Sequence, residues 1–65
     1  MTLTFIRAEI ERMRLQIRRQ RTDIRSLQRA GISTASAELM LVRMRATVDD
    51  LCDRRDSLAK EARFV

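Results

Sequence analysis

Apolar residues recur at alternating steps of three and four along this chain, and a lone glycine separates two such runs. This spacing lays one apolar stripe along a helix and is the heptad pattern of helices that pair along a seam. The first run includes one polar residue: Leu3, Ile6, Ile10, Met13, Ile17, Gln20, Ile24 and Leu27. The second run also includes one: Ala37, Leu41, Met44, Val48, Leu51, Arg55, Leu58, Ala62 and Val65. The sequence therefore predicts two amphipathic helices.

The segment between the two runs carries the signals of a turn. Gly31 suits the left-handed residue that ends a helix. Ser33 is a good N-cap for a second helix, and Thr2 or Thr4 for the first. Glu38 falls near the positive end of the second helix. We expect a first helix over about residues 3–30, a turn at 31–32 and a second helix over about 33–63.

One continuous helix is the alternative fold. Continuing the first seam through the glycine would bury Gly31, Thr34, Glu38 and Arg45. An antiparallel hairpin keeps both seams apolar over their length, which favours it. Folding the arms together sets these pairs side by side: Leu27 and Ala37, Ile24 and Leu41, Ile17 and Val48, Met13 and Leu51, Ile10 and Arg55, Ile6 and Leu58. The predicted fold class is all-α, a coiled-coil-like antiparallel two-helix hairpin.

Each predicted helix has one polar residue in its seam, Gln20 in the first and Arg55 in the second. Two interpretations are open for them. Each side chain reaches or pairs at the edge of the seam, or each fixes the register and the number of partners.

The length of the chain favours a partner. Sixty-five residues in two helices bury one stripe each, which barely offsets the conformational entropy of the chain. A second apolar stripe on helix 2 faces away from the seam, at Ala35, Leu39, Val42 and Ala46. We expect a homodimer that forms a four-helix bundle through this stripe. The alternative is a few tolerated exposed aliphatic residues.

The formal net charge of +5 is confined to the first arm, because residues 31–65 carry six basic and six acidic groups. Five arginines fall on one side of helix 1: Arg14, Arg18, Arg21, Arg25 and Arg29. Three interpretations are open: a solvated face, contact with an acidic protein surface, or contact with nucleic acid. The acidic candidate is the row Asp49, Asp53 and Asp56 of a second copy. A two-fold axis near Val42–Ala46 would bring that row toward the arginines.

The composition speaks against an enzyme. The chain has no histidine for acid–base chemistry, one glycine and one cysteine, Cys52. We expect no cofactor, no metal, no small-molecule substrate and no membrane contact, and a cytoplasmic location with Cys52 reduced. Cys52 is interpreted as a small apolar residue beside the seam. The alternatives are a disulfide between protomers and a reactive thiol.

These features predict a non-enzymatic, self-associating helical interaction or adaptor module. The alternative is a small basic regulator that binds nucleic acid through its arginine row. The difference between them is whether the arginines are covered in the assembled protein.

The segment Leu27–Leu39, together with Asp50-Leu51-Cys52, resembles short proteins of rhizobial-type alphaproteobacteria for which we know no function. This resemblance covers most of the chain. The overall shape is similar to small plasmid copy-number proteins, which dimerise as helical hairpins and bind paired RNA loops. That second likeness concerns architecture alone and assigns no role to any residue.

Overall fold

The computed structural model describes residues 2–63, which form two α-helices and no strand. Helix α1 spans Leu3–Arg29 and helix α2 spans Ala35–Arg63, and they pack side by side along their length. The result is a rod with extents of 55 × 15 × 14 Å. The predicted all-α antiparallel hairpin is confirmed.

Side-chain and backbone caps define both ends of α1. Thr2 is the N-cap, since its hydroxyl accepts a 3.1 Å hydrogen bond from the amide of Phe5. At the other end Gly31 adopts φ +70°. The Gly31 amide donates to the Gln28 carbonyl at 3.1 Å and the Ile32 amide to the Leu27 carbonyl at 2.9 Å. This pair of bonds is a Schellman motif, which satisfies carbonyls that the helix end leaves free.

Helix α2 begins two residues later than the sequence predicted. Its first turn starts from Thr34, whose carbonyl accepts from the Glu38 amide at 2.8 Å. Ser33, the predicted N-cap, precedes this position, and its hydroxyl accepts from the Ala35 amide at 3.4 Å. The connection between the helices therefore runs over residues 30–34.

The core consists of four isoleucines, all from α1: Ile6, Ile10, Ile17 and Ile24. The remaining seam residues of α1 are half-buried. No residue of α2 is fully buried. A pair of helices encloses only the stripe between them, so the isolated hairpin leaves most of α2 in contact with solvent.

A hydrogen bond crosses the seam. The Gln20 side-chain amide donates to the Ala37 carbonyl at 3.2 Å. Three of the six predicted pairs border common crevices: Ile24 and Leu41, Ile10 and Arg55, Ile6 and Leu58. The two helices therefore pack close to the predicted register.

The ends of the seam differ from its middle. Thr34 is half-buried although it precedes α2. Ala62 is exposed, because the end of α2 extends past the first residue of α1. Its predicted place in the seam is therefore wrong. Val65, the last predicted seam residue, lies outside the described residues.

The two polar seam residues behave differently. Gln20 bonds across the seam, whereas Arg55 is half-buried and donates through Nε to its neighbour Asp56 at 3.1 Å. Arg55 also borders a crevice with Arg7 and Ile10. Arg55 is therefore an edge residue, and Gln20 is the one that connects the two helices.

Candidate functional site

The register divides the hairpin into two halves of different charge. The turn half, residues 16–45, holds seven basic and two acidic side chains, a net charge of +5. The open half, residues 2–15 and 46–63, holds seven of each and is neutral. The whole net charge therefore lies at the end of the rod that carries the turn, on both helices.

The predicted apolar stripe of α2 is exposed. Val42 is 62% and Leu39 53% accessible, and Ala35 and Ala46 are also exposed. We call these four residues the α2 apolar face. Met40, which follows Leu39 in the chain but points to another side of α2, is 51% exposed. Since isolated exposed aliphatic residues are ordinary but neighbouring ones mark contact surfaces, this face is the first candidate site.

The predicted acidic row continues the same side of α2 toward the open end. Asp49, Asp53 and Asp56 are all exposed. Asp56 accepts the bond from Arg55, while Asp49 and Asp53 form no ion pair within residues 2–63. The row is therefore a solvated surface in the single chain.

The arginine row of α1 is exposed at every position. Arg14 pairs with Glu11 on its own helix, N–O distance 3.2 Å. Among the described residues the other four arginines of the row form no ion pair: Arg18, Arg21, Arg25 and Arg29. Two of them, Arg21 and Arg25, border one crevice with Glu38 and Leu41 of α2.

The hairpin does not bring the aspartate row against the arginine row. None of the ion pairs within residues 2–63 joins Asp49, Asp53 or Asp56 to an arginine of the row. Along α2 the three aspartates lie closer to the open end than Arg45 does. The two rows follow one another along the rod, and within one chain neither neutralises the other.

The ion pairs of the described residues all lie in the open half. In the best formed of them, Arg12 donates through Nη2 and Nε to the two carboxylate oxygens of Glu9, at 2.6 and 3.1 Å. These hydrogen bonds lower the pKa of the Glu9 carboxyl, with partial desolvation acting in the opposite direction. The pKa of the Arg12 guanidinium is raised by the same contact.

Cys52 is a free, half-buried thiol. No three His, Cys, Asp or Glu side chains within residues 2–63 are placed to share a metal ion. Neither described helix contains a segment apolar and long enough to cross a bilayer.

No protein-family model, no curated protein and no solved structure matches the chain. The resemblance to short alphaproteobacterial proteins therefore stays a prediction, and the candidate sites rest on the hairpin's own surfaces.

Sequence reasoning found the α2 apolar face and the arginine row but missed how charge is divided along the rod. Summing charge helix by helix assigns +5 to the first arm and zero to the second. Arg43 and Arg45, counted with the second arm, belong spatially with the turn half. The signal was present in the sequence, but reading it requires the register.

Proposed function

We propose that the protein is a non-enzymatic helical interaction module whose first partner is a second copy of itself, bound through the α2 apolar face. The observation that carries this proposal is the exposure of Leu39 and Val42 on a helix with no fully buried residue. A helix that is apolar on two sides is normally covered on both.

The shape of the face supports a second copy as its occupant. If two α2 helices cross antiparallel about a two-fold axis between Leu39 and Val42, Leu39 meets the partner's Val42. Ala35 then meets the partner's Ala46, so all four residues of the face are covered by the same four residues.

Charge complementarity supports the same axis. Glu38 and Arg45 are seven residues apart and lie on one flank of α2. The axis between Leu39 and Val42 brings Arg45 close to the partner's Glu38. An axis nearer Ala46 would instead set Glu38 level with the partner's Asp49, which is a like-charge contact. The self-complementary arrangement is therefore also the electrostatically favourable one.

Val42→Glu tests the proposal, because it places a carboxylate at the centre of the face. We expect the wild-type chain to sediment as a dimer at micromolar concentration. In the variant we expect the dimer dissociation constant to rise about 30-fold or more, as for a central interface residue. Analytical ultracentrifugation over a concentration series measures both constants.

Leu15→Glu is the matched control. Leu15 is an exposed leucine of α1, 41% accessible, outside the α2 apolar face. We expect this variant to dimerise as the wild type does. A monomeric wild-type chain, or equal weakening by both substitutions, would contradict the proposal.

A further inference from the structure

We propose that the turn half binds the phosphate backbone of a duplex nucleic acid through Arg18, Arg21, Arg25 and Arg29. This inference concerns α1 and does not depend on dimerisation through α2.

These four arginines form a straight row on a helix that is regular from Leu3 to Arg29. They are three and four residues apart, so their Cα atoms rise by about 4.5–6 Å per step and by about 16 Å in total. Guanidinium groups donate in a planar fork that matches phosphate oxygens. The row is thus a rigid series of phosphate ligands.

The protein supplies no acidic group to this row. The four arginines have no ion pair within residues 2–63. Asp23 lies two residues from both Arg21 and Arg25, which places it on the opposite side of α1. Because like charges four residues apart destabilise a helix slightly, an external anion gains affinity by relieving that repulsion.

Glu38 is the acidic residue of the turn half that lies on the same flank of the hairpin as the arginine row. It borders the crevice of Arg21 and Arg25 but forms no ion pair with them. One carboxylate beside several free arginines leaves the local charge strongly positive, and Arg45 lies on the same flank of α2. A positive potential of this extent attracts a polyanion over distances of about a Debye length.

The composition of the turn half favours a duplex over a single strand. Single-strand binding relies on aromatic side chains that stack on bases, and residues 16–45 contain none. Phe5, which is exposed, lies at the open end. A duplex offers its phosphates in a regular array and requires no stacking, so binding is expected to be independent of base sequence.

Fluorescence anisotropy of a labelled 20-base-pair DNA duplex of mixed sequence, titrated with the full chain, tests this. Four phosphate contacts predict that affinity falls roughly 100-fold between 50 and 200 mM salt. We expect Arg21→Glu/Arg25→Glu to bind at least 30-fold more weakly at the lower salt. For this variant, the slope of log affinity against log salt concentration should be smaller, by the amount that about two phosphate contacts contribute.

Arg54→Glu/Lys60→Glu is the matched control, since it makes the same change in net charge on exposed residues of the open half. We expect less than a threefold loss. Equal losses in both variants would show that net charge alone causes binding and would overturn the site. Absence of wild-type binding would do the same. Tighter binding to one strand of the same oligonucleotide than to the duplex would overturn the proposal. Competition by polyglutamate as strong as that by the unlabelled duplex would also overturn it. Circular dichroism verifies that each variant remains helical.

Discussion

The two halves of this hairpin are built differently. In the open half Ile6 and Ile10 are 1% and 2% accessible, and every ion pair of residues 2–63 is found there. In the turn half Ile17 and Ile24 remain 9% and 8% accessible. That half carries the whole net charge and most of the large exposed apolar residues: Ile32, Leu39, Met40 and Val42.

The two halves of the rod therefore differ in role. The open half balances its charges and encloses its core, which are the features of a stabilising element. The turn half keeps uncovered aliphatic groups, which lower solubility, and unpaired arginines, whose mutual repulsion lowers stability, unless a partner covers them. Both proposed contacts, self-association and phosphate binding, fall in the turn half.

Truncating a core isoleucine in each half gives the largest expected effect. Ile10→Ala should reduce the free energy of unfolding by about 4 kcal/mol and Ile24→Ala by about 2–3 kcal/mol, because the better enclosed side chain leaves the larger cavity. Urea denaturation at one fixed protein concentration compares them. If either alanine variant is unfolded, the Ile→Val pair, with costs of about 0.5–1.5 kcal/mol, tests the same order. A larger loss at Ile24 would contradict the comparison.

Gly31→Ala gives an intermediate effect confined to the turn. The φ of +70° is costly for a residue with a Cβ, while no atom lies within 4 Å of the position a Cβ would occupy. We expect a loss of about 1 kcal/mol in urea denaturation, from backbone conformation alone. Gly31→Asn should lose less, because asparagine tolerates this conformation. Equal losses in the two variants would indicate that the backbone conformation is not the cause.

Glu9→Gln gives the smallest effect, and it depends on pH. The pKa of Glu9 is lowered from its ordinary value of 4.5, so its carboxylate stabilises the folded chain above that pH. This contribution is lost as the pH falls through the lowered value. We expect the variant to unfold slightly more easily than the wild type at pH 6 and the difference to be smaller at pH 3. Thermal unfolding measures both.

Glu61→Gln is the control, since Glu61 forms no ion pair within the described residues. The difference in thermal unfolding between Glu61→Gln and the wild type should change less with pH than the difference for Glu9→Gln does. A difference for Glu9→Gln that grows on acidification would contradict the assigned contact.

The sequence was sufficient for the fold because two independent signals agreed. The heptad spacing specified two apolar stripes, and Gly31 specified where the first helix ends. The stripes alone do not specify the register, since sliding one helix by a turn again sets apolar residue against apolar residue. The short turn supplied the missing constraint, and three of the predicted pairs border common crevices: Ile24 and Leu41, Ile10 and Arg55, Ile6 and Leu58.

The candidate surfaces were predictable only in part. Exposure of Val42 and Leu39 followed from periodicity, because a helix has one seam and these residues are outside it. Whether Asp49 pairs with an arginine of the row did not, since that depends on how the two helices pack. For the same reason the concentration of charge in the turn half emerged only from the structure.

The Schellman turn at Gly31 has a consequence for the order of folding. Contacts beside the turn close short loops, whereas Ile6 and Leu58, 52 residues apart, close one of the longest. The entropy of closing a loop rises with its length, so we expect the helices to zip from the turn outward. The half with the exposed surfaces would then form first, and the half that holds the rod together would form last.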